Sequence, residues 1–162
     1  MRFKLSTIFC LITVLLLVFT LPPPVHSDTR NIRVSNGNDD AEEKVSNGQM
    51  NRGSNDLELI NCPSRGDQKV GIRFRNVQVP QGVTISNAYI EFSCDEKGST
   101  STDLTIYGQD SDDAPRFSST NYNISNRTTT SASVNWSPGA WGTVHQTYQS
   151  PDISSIVQEI VN

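Results

Sequence analysis

Among side chains able to do chemistry, two acidic groups come first: Asp39, Asp40, Glu42 and Glu43, then Asp110, Asp112 and Asp113. Calcium takes about six to eight hard oxygen ligands, and backbone carbonyls can complete a set that carboxylates begin. Asp40, Glu42, Asp110 and Asp112 are therefore the candidate calcium ligands. Their spacing is not that of an EF-hand, and solvated loop charge that keeps a chain soluble is the commoner use of such residues.

Aromatic rings are the second resource. A sugar binds by laying the apolar face of its ring on an aromatic face while polar neighbours read its hydroxyls. Trp141, Tyr122 and Tyr148 are the candidates, with Tyr107 and Tyr89 behind them; Trp136, on the apolar face of a strand pattern, belongs to the core. Arg73 and Arg75 share one polar strand face and could hold an acidic polysaccharide, although cross-strand ion pairing with Glu91 is the more ordinary role.

Catalysis has little to work with. Once a leader is removed, His145 is the remaining histidine, and no serine sits in a nucleophile-elbow pattern. Paired carboxylates can hydrolyse glycosides, but nearly every domain of this size carries such pairs. The chain is expected not to be an enzyme.

These residues must be carried by a secreted domain. Arg2 and Lys4 precede an apolar run from Ile8 to Leu21, broken only by Thr13 and Thr20, then Pro22, Pro23 and Pro24 lead to Ser27. That is the pattern of a signal peptide over residues 1–27, with residues 28–162 as one extracellular domain. The run is too short to anchor the chain across a bilayer. Loss of Arg2 and Lys4 takes the net charge from −4 to −6, which speaks against nucleic acid as a partner.

Cys10 leaves with the leader, and the remaining Cys62 and Cys94 are expected to form a disulfide. Closing a loop of about 33 residues would stabilise the fold by about 3 to 4 kcal/mol in the chain-entropy model. Glycosylation acceptors occur at Asn123, Asn126 and Asn135, the last within a strand pattern.

Hydrophobic periodicity supplies the elements. QKVGIRFRNV (68–77) and SNAYIEFSC (86–94) alternate apolar and polar residues and are expected to be successive, paired strands, joined by a turn at Pro80 and Gly82. Further strands are expected at 31–36, 56–60 and 103–110 and in a late segment ending at Trp136, with a loop or an edge excursion spanning the acidic stretch after residue 36. Ile153, Ile156, Val157 and Ile160 recur at helical spacing behind Ser150 as N-cap, Pro151 and Asp152, so 150–161 is expected to be a helix that caps one end of the fold. The fold class is all-β: an antiparallel, jelly-roll-like β-sandwich with one short C-terminal helix.

VGIRF, the following VPQG turn, ISNAYIEF, ISNRTTTSASVNWSPGAW and SPDISSIVQEIVN together resemble the DNRLRE-type carbohydrate-binding-like modules of secreted and cell-surface proteins. The resemblance runs from about Ile32 to Asn162. It implies a jelly-roll-like fold and binding of extracellular polysaccharide or matrix components, without assigning ligand residues. Such modules usually continue past this helix into a tryptophan-bearing segment and a final strand, so either the sequence given is a fragment or the last strand is lost, and an exposed sheet edge is expected to follow. The alternatives are a structural, acidic extracellular-matrix or biomineral-matrix protein that meets calcium or mineral, and behind it a small polysaccharide-active enzyme.

Overall fold

The computed structural model describes residues 28–100 and 102–162; the expected signal peptide, 1–27, lies outside the described residues. The chain is all-β with antiparallel sheets and one short C-terminal helix. Its strands are β1 (Asp40–Lys44), β2 (Met50–Asn51), β3 (Asn61–Cys62), β4 (Gly66–Ile72), β5 (Glu91–Ser93), β6 (Leu104–Gln109), β7 (Thr129–Trp136) and β8 (Thr147–Gln149), followed by α1 (Ser154–Val161). They form a four-stranded sheet in the order β2-β1-β4-β3 and two ribbons, β5-β8 and β6-β7. Among the described residues no helix is long and apolar enough to cross a membrane.

The first sheet grows from residues that the sequence pattern places in a loop or an edge excursion. DAEEK is β1, its Glu42 paired with Val70 and its Glu43 with Lys69 of β4. Both glutamates are 1% exposed. Adjacent residues of a strand point to opposite faces, so each serves a different side of the sheet. Glu43 accepts hydrogen bonds from the Ile124 and Ser125 N–H groups, at 2.7 and 3.0 Å, and from the Ser125 hydroxyl. Glu42 accepts from the Glu58 N–H at 2.8 Å and from the Asn51 amide at 3.0 Å. A buried carboxylate is tolerable only with such donors, and here loops distant in sequence supply them.

On the Glu43 side, residues 117–127 lie over β1 and β4. Phe117, 5% exposed, packs on Gly71, where a Cβ would stand 2.5 Å from its ring. Lys69 donates to the Ser125 hydroxyl at 2.8 Å. Arg127 stacks on the Phe117 ring at 4.3 Å and donates to the carbonyls of Asn123, Pro115 and Arg116, tying the overlying segment to itself.

The expected pairing of the two alternating stretches is not what forms. β4 stops at Ile72 and pairs with β1 and β3, while β5 begins only at Glu91 and pairs with β8. Residues 73–90 between them have no strand. Their backbone groups go instead to the C-terminal segment: Gly82 N–H to the Val161 carbonyl at 3.1 Å, Ile85 N–H to the Gln158 side chain, Ala88 N–H to Asp152, and Ile90 N–H to the Ser150 hydroxyl. Alternation reported which residues could lie in a strand; a competing partner decided how far the strand runs.

Other boundaries move for similar reasons. Residues 31–36 and 56–60 form no strand, and Ile60 takes a φ of 81°, which breaks the chain just before β3. The segments 103–110 and up to Trp136 do pair, as β6 and β7, with Leu104 opposite Trp136 and Ile106 opposite Val134. The helix begins at Ser154, not at Pro151. Its N-cap is Ile153, whose side chain offers no hydrogen bond; Asp152, one residue earlier, accepts the Ser154 N–H at 2.8 Å, and Ser150, the expected N-cap, is buried and accepts the Ile90 N–H. The helix lies against the β6-β7 ribbon, where Gly108 leaves room for Ile156 and Ile160, and Glu159 accepts the Ser131 and Ala132 N–H groups at 2.7 and 2.8 Å.

Cys62 and Cys94, the pair expected to form a disulfide, are both buried and unbridged in this structure. Each finds a partner two residues ahead in its own turn, Cys62 Sγ lying 3.3 Å from the Ser64 hydroxyl and Cys94 Sγ donating to the Glu96 carbonyl at 3.0 Å.

Candidate functional site

Rings from four elements converge where β5 meets β8. The antiparallel register sets Phe92 opposite Tyr148, both turned to the half-buried face, while Glu91, Ser93, Thr147 and Gln149 stay exposed on the other. The ladder continues past the strand ends through Cys94 N–H to the Gln146 carbonyl at 2.9 Å and His145 N–H to the Cys94 carbonyl at 2.7 Å. His145, at φ 65°, turns the chain into β8.

Trp136 enters from the end of β7, 8% exposed, and stacks on Phe92 with centroids 5.5 Å apart. Trp141 comes from the loop after Pro138 and Gly139. Two reciprocal backbone bonds with Gly98, at 3.0 and 2.8 Å, hold it in place. Its indole lies 4.6 Å from the Tyr148 ring with planes 6° apart, and 6.0 and 6.4 Å from Phe92 and Trp136. These spacings are those of favourable ring pairs, so the cluster runs unbroken from core Trp136 to half-buried Trp141 and Tyr148. The Tyr148 hydroxyl accepts the Gly142 N–H at 3.0 Å, which fixes the ring that backs Trp141.

Two of the candidate sugar-binding residues, Trp141 and Tyr148, are thus brought together. Tyr122 is elsewhere: it sits at φ 63° in the segment over the first sheet, its ring against Gly48. Arg73 and Arg75 are neighbours as expected, but their partner is Asp39, not Glu91. Arg73 donates to Asp39 at 2.8 Å and to the Ala114 carbonyl at 2.5 Å, and Arg75 lies 3.8 Å from Asp39. Glu91 instead accepts from Gln149 at 3.3 Å. Phe92 completes the cluster without being among the candidate ligand residues, because its place in the alternation of 86–94 marks it as inward-facing.

The candidate calcium ligands do not assemble. Asp40 pairs across from Ile72, Glu42 spends its oxygens on Asn51 and Glu58, and Asp110 and Asp112 are exposed in the loop after β6. Among the described residues no group of three or more histidine, cysteine, aspartate or glutamate side chains could hold a metal ion. Glu58 is pushed above the usual carboxylate range by burial and then by the charges of Asp56, Glu42 and Glu96.

The glycosylation acceptors differ in what their amides do. Asn123 accepts from the Ser118 N–H at 2.9 Å and from Arg127, and Asn135 accepts from Thr105 at 3.0 Å. Asn126 is exposed on the turn between them.

The molecule therefore belongs to the class of all-β antiparallel domains with a C-terminal helix and carries a cluster of rings that reaches its surface. No family model, curated protein or solved structure matches the chain.

Proposed function

We propose that this chain is a secreted, non-catalytic module that binds extracellular carbohydrate or mediates matrix adhesion, as the resemblance to DNRLRE-type modules implies, with the sandwich architecture of those modules. The observation that carries the reading is the Trp141–Tyr148 stack. Trp141 is held by its backbone at Gly98 and backed by a parallel ring, so it loses little freedom when a sugar lands on it.

The mineral-matrix alternative has less support, because Asp39, Glu42 and Glu43 are turned inward and bonded to protein groups.

Binding of the secreted protein to a polysaccharide array, in calcium and in chelator, tests the proposal. Saturable binding to one glycan class, weakened about tenfold or more by Trp141→Ala in a protein that keeps its circular dichroism spectrum, is the expected result. Absence of binding in both buffers would overturn it; binding to mineral that salt abolishes and sugars do not compete would favour the matrix alternative.

A further inference from the structure

Asn36, Asn38, Asp39, Arg73, Arg75 and Arg116 line a cleft of about 200 Å³ in a protein whose formal charge is −4. Among these six lining residues three guanidinium groups face one carboxylate, an excess of two positive charges that the exposed Asp113 carboxylate beside Arg73 lowers to one. Asp39 is the fixed point. It is 2% exposed, accepts Arg73 at 2.8 Å and draws Arg75 to 3.8 Å. Arg73 is further pinned by the Ala114 carbonyl, so it forms the floor of the cleft.

The other two arginines are less committed. The Arg75 side chain is 52% exposed, with Asp39 at 3.8 Å as its ion-pair partner. Arg116 is exposed, and its guanidinium makes no hydrogen bond or ion pair among the described residues. Asn36 spends its oxygen on Asn38, which leaves its amide N–H groups free to donate. Asp113 does not line the cleft, but its carboxylate stands 3.6 Å from Arg73 while 95% exposed. A pair that long and that wet is weak, so Asp113 competes only loosely with an external anion for the Arg73 guanidinium.

Guanidinium forks match planar carboxylates and sulfate oxygens with two parallel hydrogen bonds. The volume is below the roughly 300 Å³ at which pockets begin to enclose whole drug-sized ligands, so a charged substituent enters and the rest of its molecule stays outside. Because the protein is acidic overall, general attraction for polyanions does not account for such a recess. We infer that the cleft receives the carboxylate or sulfate group of an acidic polysaccharide. This rests on the carbohydrate-binding reading and names its ligand class.

The test is titration of the secreted protein with polygalacturonate, dextran sulfate and neutral dextran at physiological ionic strength. The double variant Arg75→Ala, Arg116→Ala is expected to lower affinity for an acidic probe by about tenfold or more, while Asp113→Ala, which removes the competing carboxylate, raises it about threefold. Both changes lie on exposed side chains, and the circular dichroism spectrum should be that of the parent. The two acidic probes separate carboxylate from sulfate recognition. Acidic polymers bound no better than dextran, or equally well by the double variant, would overturn the inference. Dextran binding that needs Trp141 with no preference for acidic probes would leave the aromatic platform standing and remove the cleft. Acidic binding lost in the double variant but kept in Trp141→Ala would do the reverse, and no binding at all would remove both.

Discussion

Glu42 and Glu43 lock the first sheet by accepting backbone N–H groups from loops distant in sequence, whereas Phe92, Trp136, Trp141 and Tyr148 lock the β5-β8 corner by stacking ring on ring. The two devices fail differently. A carboxylate satisfied by N–H groups is all or nothing, since removing it strands buried donors that have no other acceptor. A ring cluster loses surface in proportion to what is removed and can partly close over the gap. The first arrangement fixes which loop covers which strand; the second leaves its outermost members at the surface, where a ligand can use them.

That contrast is open to direct attack. Trp136→Ala should cost about 3 to 5 kcal/mol in denaturant unfolding, with Trp136→Phe recovering a large part of it, because what matters there is buried ring. Glu43→Ala should cost about 3 kcal/mol by stranding the Ile124 and Ser125 N–H groups. Glu43→Gln should recover only part, since a neutral acceptor of the same shape bonds less strongly than a carboxylate. If Glu43→Ala and Glu43→Gln were both within experimental error of the parent, the carboxylate clamp would not be holding the sheet. Gly71→Ala should follow at about 1 to 3 kcal/mol, by pushing Phe117 off β4, and its effect should largely vanish in a Phe117→Ala background.

The smallest effect concerns acid. The Ala132 and Ser131 N–H groups hold Glu159 below the usual carboxylate range, and the Ala88 and Ser154 N–H groups do the same for Asp152. Their folded values lie below their unfolded ones. The stability they contribute is therefore present above the ordinary carboxylate range and is lost as pH falls through the folded values. Unfolding midpoints measured from neutral pH downward should show this loss, and Glu159→Gln should flatten the curve at its acid end.

Much of this architecture is visible in the amino-acid order. β6 and β7 follow their alternation, and the helix follows the spacing of Ile153, Ile156, Val157 and Ile160, because in both the apolar period matches the element that buries it. The pairing of Trp141 with Tyr148 could be foreseen only as two aromatic residues, not as a stack, since the register of β5 with β8 and the bridge from Trp141 to Gly98 bring them together. DAEEK was illegible for a plainer reason. Four charged residues in five read as solvated until their partners are known, and those partners are backbone groups that carry no mark in the sequence. The same holds for the cleft. Arg73 and Arg75 announce themselves as a pair, but Arg116 and Asn36 reach them only through the fold.

The sequence by itself determined an antiparallel all-β chain with a C-terminal helix, because periodicity of apolar residues is a local property. The tertiary structure alone decided which strands pair and which acids turn inward. Those outcomes depend on competition between distant backbone donors and acceptors, and each of these groups is chemically the same at almost every residue.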